Sequence, residues 1–154
     1  MSAPRLLQFG DVHLDASTKD NVLHALAQIL EIAQAERPDV AINTGDLSFK
    51  RGHLAPWVAL ELRRFHCALA EVCPTIVISG NHDLSYSDGV GTVLGALDFS
   101  DSNGRIHLAE TPRVIRPLRA DRGSPFRDLT FAALPYPSAM RSGPLCERLP
   151  CRRS

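Results

Sequence analysis

Cysteine is scarce and unpatterned. The 154 residues hold four, Cys67, Cys73, Cys146 and Cys151, with no CxxC pair, which excludes a disulfide-built scaffold and fits a reducing cytoplasm. Long apolar runs are missing too. Nothing approaches the roughly 20 residues a helix needs to span a bilayer, and the opening MSAPRLLQFGD enters a strand without the apolar h-region of a signal peptide. A cytoplasmic protein without a membrane association is therefore expected. Lysine is nearly absent, supplying 2 of 17 basic residues, and the formal net charge is zero. That neutrality conceals a division: residues 1–100 carry 12 acidic and 7 basic side chains, residues 101–154 carry 5 and 10. A basic second half could meet a polyanion such as DNA, with scattered surface arginines as the ordinary alternative. Histidine, finally, does not occur after His107.

What is present is one construction used three times. LLQFGDVH, VAINTGDL and TIVISGNHD each run an apolar, β-branched stretch into glycine and then into an aspartate or asparagine: Gly10-Asp11, Gly45-Asp46 and Gly80-Asn81. Asp11, Asp46 and Asn81 stand 35 positions apart in each step, the length of a strand-helix-strand unit. Glycine lets the backbone turn sharply off a strand end, so each unit is expected to deliver one oxygen donor to the same sheet edge.

The intervening segments agree. A strand over 5–9 is followed by a helix to about Arg37, capped by Ser17 or Thr18, with Val22, Leu26, Ile29, Leu30 and Ala33 at helical spacing and Pro38 beyond its end. A buried parallel strand is expected over 40–44. A second helix over about 55–72 opens with Pro56 and shows Val58, Leu62, Phe65, Leu69 and Val72 on its inner face. A third strand covers 75–79. Further on, a short helix near 92–99 and strand-like pieces at 106–108, 113–118 and 129–134 suggest a meander beside the parallel sheet. The domain is expected to occupy residues 1–137. Residues 138–154, rich in Arg, Pro and Cys and without apolar period, are expected to stay outside it as a disordered or out-of-frame tail.

In an open α/β sheet the working crevice lies beyond the carboxyl ends of the strands, and right-handed crossovers put all three corners there. Strands about 4.8 Å apart compare with the roughly 3.5 to 4 Å between ions in two-metal hydrolase sites, so a carboxylate on the middle strand could bridge two ions. The donors Asp11, His13, Asp46 and Asn81, mostly hard oxygen with one imidazole, suit Mn²⁺ above all, with Fe²⁺, Mg²⁺ or Zn²⁺ as alternatives. Each alone would read as a turn residue; their matched positions make the metal reading the better one. His82 is expected beside the metals as a proton donor or phosphate contact, because imidazole titrates near neutrality. Asp83 either orients that ring or caps the next turn. His24, His53, His66 and His107 are read as structural or surface residues.

The series Asp11-x-His13, Gly45-Asp46, Gly80-Asn81-His82-Asp83 resembles the first three motifs of the calcineurin-like metallophosphoesterase superfamily. Within it, Asp11-Val12-His13-Leu14 and Leu134-Pro135-Tyr136 are similar to the SbcD-type DNA repair nucleases. The resemblance implies a layered α/β fold with a parallel β-α-β-α-β start and the C-terminal part of the domain missing. It further implies two divalent ions and in-line attack on a phosphodiester by an activated hydroxide. Asp11 and His13 would hold one ion, Asp46 would bridge both, Asn81 would hold the second, and His82 would act on the phosphate without being a ligand. DNA, an SMC-like ATPase subunit and a second copy of the chain are the partners it implies.

This chain departs from the pattern in two places. Phe49 stands where many relatives have Asp or His, removing a polar side-chain partner for His82, and the later family histidines, the last usually in Gly-His-x-His, have no counterpart. Weak metal binding and slow or absent hydrolysis are expected as a result, as is a truncated or frame-shifted gene product. A small-molecule phosphodiesterase or phosphatase of the same superfamily, and a non-catalytic interaction module, are the competing readings.

Overall fold

Pro38 and Pro74 each end a helical connection one residue or so before a β-branched run, and that punctuation sets the architecture. The protein was analysed as a computed structural model that describes residues 4–85, 92–102, 104–115 and 130–136. Strands β1 (Leu6–Phe9), β2 (Val40–Asn43) and β3 (Thr75–Ile78) alternate with helices α1 (Lys19–Glu36) and α2 (Pro56–Val72). Arg37 closes α1 in the left-handed conformation, its N–H returning to Ala33 O, and Pro56 opens α2, where a missing N–H costs nothing. Thr18 occupies the cap position of α1 without capping it. Its hydroxyl donates to His13 O and accepts from Asp15 N–H instead, so it braces the loop after β1.

The sheet is parallel, in the order β1-β2-β3-β4. Its fourth strand, β4 (Ile106–Ala109), pairs with β3 in parallel register, Thr75 against Ile106. Among the described residues the remainder of the expected meander is an antiparallel pair, β5 (Arg113–Ile115) and β6 (Phe131–Ala133). The helix expected near 92–99 is a 3-10 turn over Val93–Leu97 with a second over Ser100–Ser102. Residues 116–118 and 129 of the expected strands, and the tail 138–154, lie outside the described residues.

Both helices pack on one face, where Leu26, Ala33, Val58, Leu62, Phe65 and Leu69 meet Ala41 and Val77. On the other face Val40, Ile76 and Ala109 are covered by Ile115 and Ala133 of the β5–β6 pair. The three layers bury β3 almost completely, whereas β1, at the edge, has alternate residues exposed. Among the described residues no helix is long and apolar enough to cross a membrane.

Candidate metal centre

Register fixes how the three corners meet. Leu6 faces Val40 and Ala41 faces Thr75, a step of 34, while the corner donors advance by 35. Each donor therefore sits one residue further along the edge than the one before it: Asp11 is level with Gly45, and Asp46 with Gly80. Glycine is required at both of these facing positions. Gly45 has φ +104°, and a Cβ there would run into the Gly80 backbone; a Cβ on Gly80 would run into the Asp46 carboxylate.

Pairing continues past the strands. Asp11 N–H donates to Gly45 O (3.1 Å), His13 N–H to Asp46 O (2.9 Å) and Leu14 N–H to Leu47 O (3.0 Å). Along the first corner Val12 and Leu14 are buried, which turns the intervening Asp11 and His13 outward. Three of the five non-glycine residues with positive φ among those described are Asp11 (52°), His13 (47°) and Asp46 (55°). Left-handed backbone is costly for residues with a Cβ and collects at functional sites, so three such residues converging at one place is a sign of use.

They do converge. One ligand atom from each of Asp11, His13 and Asp46 lies within 4.8 Å of the others, with His13 Nε2 3.8 Å from Asp11 Oδ1. The set passes a test of fit for a divalent cation on its own chemistry. His13 Nδ1 is buried with no hydrogen-bond partner, an expense that proteins seldom leave unmet, and the Asp11 side chain is 84% exposed, with its oxygens open to a ligand. Asn81, half-buried, follows Gly80 on the adjoining corner.

His82 is held from three sides. Its N–H donates to Asp46 Oδ1 (2.8 Å), its carbonyl accepts from Gly52 N–H (3.1 Å), and its Nδ1 donates to Phe49 O (2.8 Å). The partner that the Phe49 side chain cannot offer is thus supplied by the Phe49 main chain. With Nδ1 committed to a carbonyl, Nε2 is the free nitrogen, and the ring lies edge-on to His13 at 4.7 Å between centroids.

Asp83 sits elsewhere. It is fully buried and accepts from three amides, Asp46 N–H (2.8 Å), Leu47 N–H (2.9 Å) and Gly80 N–H (2.9 Å). It staples the second corner to the third and makes no bond to the His82 ring, whose Nδ1 goes to Phe49. Burial pushes its carboxyl above the usual range, against the pull of the three amides.

Two further residues bear on this edge: Asn43, which the sequence reading passed over, and His66, which it placed among structural or surface residues. Asn43, fully buried at the end of β2, accepts from Gly45 N–H through Oδ1 (3.0 Å), and its Nδ2 meets His66 Nε2 (3.0 Å). His66, on α2, is fully buried, not a surface residue, and its Nδ1 donates to Leu62 O (2.7 Å). Burial pushes its pKa down to about 4, so the ring is neutral at physiological pH. The available signal was a polar residue inside each of two apolar patterns: Asn43 in VAIN, and His66 one turn after Leu62.

Comparison with known proteins follows the same lines. A comparison with curated sequences gave no significant match. Among solved structures, the Pseudomonas putida nuclease MPE is similar over 73% of this chain and 51% of that one, at 24% identity and a TM-score of 0.46; the chain thus spans about half the length of that nuclease. The family model for calcineurin-like phosphoesterases matches residues 4–138. All three corners fall within that match, and the chain belongs to the calcineurin-like phosphoesterase family.

Proposed function

We propose that this chain is the catalytic domain of a metal-dependent phosphodiester hydrolase that acts on nucleic acid, as an SbcD-type nuclease does. The observation that carries the reading is the convergence of Asp11, His13 and Asp46 within 4.8 Å on strained backbone at the carboxyl edge of the sheet. Asp11 and His13 would hold one divalent ion, Asp46 would be shared, and Asn81 would contribute to a second. Such ions, Mn²⁺ first and Fe²⁺, Mg²⁺ or Zn²⁺ next, supply Lewis acidity at a phosphoryl oxygen and lower the pKa of water. His82 has Nδ1 anchored on Phe49 O, so Nε2 is the atom that, when the ring is protonated, hands a proton to the leaving oxygen and is left with its lone pair. Asp83 acts at a distance by fixing the Asp46 and Gly80 amides.

Openness favours a polymer over a small enclosed substrate, since the Asp11 side chain is 84% exposed. The Leu134-Pro135-Tyr136 segment also reaches this edge, Tyr136 N–H donating to Ser79 O (2.9 Å). An SMC-like ATPase, a second copy of the chain and a cytoplasmic setting belong to the same reading. Because Asp46 and Asn81 alone serve the second position among the described residues, one ion should bind well, the second weakly, and turnover should be slow.

Mn²⁺ titration calorimetry with hydrolysis of end-labelled DNA, against cyclic nucleotides, tests this. Mn²⁺-dependent DNA cleavage is expected. Turnover confined to cyclic nucleotides would move the assignment to a small-molecule phosphodiesterase, and absence of both heat and hydrolysis would leave an interaction module.

A further inference from the structure

An imidazole is an odd choice for the centre of an apolar core. His66 lies among Phe9, Phe65 and Phe99, with ring centroids 6.5, 5.0 and 5.8 Å away, where a leucine would pack without any polar requirement. Each of its nitrogens is nevertheless used, and the direction of every bond is determined. Leu62 O can only accept, so His66 Nδ1 carries the proton and Nε2 presents a lone pair. Gly45 N–H can only donate, so the Asn43 oxygen faces Gly45 and the Asn43 amide nitrogen faces His66. A single ordered chain runs Gly45 N–H to Asn43, Asn43 to His66, and His66 to Leu62.

That order matters at the site edge. The Gly45 peptide is the joint between two corners: its nitrogen is held by Asn43, and its carbonyl accepts from Asp11 N–H (3.1 Å). Asp46 follows directly. Were position 66 apolar, the Asn43 Nδ2 group would lose this partner, and the amide orientation would rest on the single bond from Gly45 N–H.

We propose that His66 is a positioning residue for the metal centre: by accepting from Asn43 it anchors the far end of the amide that holds the Gly45 peptide, and with it the placement of Asp46 and Asp11. The inference rests on the metal reading above for its consequence, but its mechanism is a property of the apo chain.

The test compares His66→Leu with His66→Gln, whose side-chain oxygen restores an acceptor. Two quantities are read on each folded variant: Mn²⁺ affinity by calorimetry, and hydrogen exchange of the Gly45 and Asp11 amides by NMR without metal. His66→Leu should weaken Mn²⁺ binding about tenfold or more, the usual scale for a residue that supports a ligand, and speed exchange at both amides. His66→Gln should recover most of both. Unchanged affinity and unchanged exchange in His66→Leu would overturn the proposal. If the parent chain itself gives no Mn²⁺ heat, the metal reading fails, and amide exchange alone decides the role of His66. If His66→Leu does not fold, Asn43→Ala reports on the same joint: slower or equal exchange at Gly45 there would also overturn it.

Discussion

Two polar clusters lie within a few residues of each other at the ends of β1, β2 and β3, and they differ in how much of their bonding capacity is used. Asn43, His66 and Asp83 are fully buried, and each has its polar atoms matched to partners within the protein. Asp11, His13 and Asp46 are exposed or half-exposed, on strained backbone, with His13 Nδ1 left unpartnered. The difference separates framework from function. A saturated polar group can hold a shape and do nothing else, whereas an unsaturated one can bind, provided something nearby keeps it in place.

Substitutions should divide the same way. Asp83→Ala would strand three amides at once, that of Leu47 fully buried, and should cost roughly 3 to 5 kcal/mol by the usual scale for orphaned donors, read as a large fall in the urea midpoint or as failure to fold. Asp46→Asn keeps an oxygen for the His82 amide while removing the charge. It should leave the urea midpoint close to that of the parent and lower Mn²⁺ affinity by at least about 100-fold, more than loss of a supporting residue costs.

Acid should act through the buried cluster. Folded His66 titrates at about 4 because of burial, against 6.5 when unfolded. Between these values the unfolded chain takes up a proton that the folded chain refuses, so the stability present above pH 6.5 declines as pH falls toward 4. Urea unfolding at pH 5 should show roughly 2 kcal/mol less stability from this residue than at pH 7, and His66→Leu should remove that part of the slope. Phe49→Ala is the smallest change. The bond to His82 uses the Phe49 carbonyl, which survives, so stability should move by no more than about 0.5 kcal/mol and Mn²⁺ affinity should be indistinguishable from the parent.

The exposed cluster was legible in the sequence and the buried one was not. Asp11, His13 and Asp46 follow glycines at the ends of apolar runs, a position where a polar side chain has nothing to pack against, so pattern alone isolates them. His66 and Asn43 sit inside the apolar patterns of α2 and β2, and a reading that counts hydrophobic matches passes over the exceptions. The acceptor for His82 was invisible for another reason: it is a carbonyl, which every residue has. In the fold, β1 to β3 with their helices were readable from proline stops and β-branched runs. The parallel placement of β4 was not: a strand was expected over 106–108, but the described turns before it are 3-10 turns without helical period, so nothing in the pattern marked a parallel crossover.

The uniform register has a consequence for how the chain assembles. β1 with β2 and β2 with β3 close over the same 34-residue span, so loop-closure entropy, which depends only weakly on length, gives neither pairing a lead. The helices break the tie. α2 buries six residues and α1 two, so β2-α2-β3 has the larger early gain in burial and should form first, with β1-α1 docking onto it. On that order Asp46 and Asn81 are brought together before Asp11 and His13 arrive, and the candidate centre closes only with the last strand.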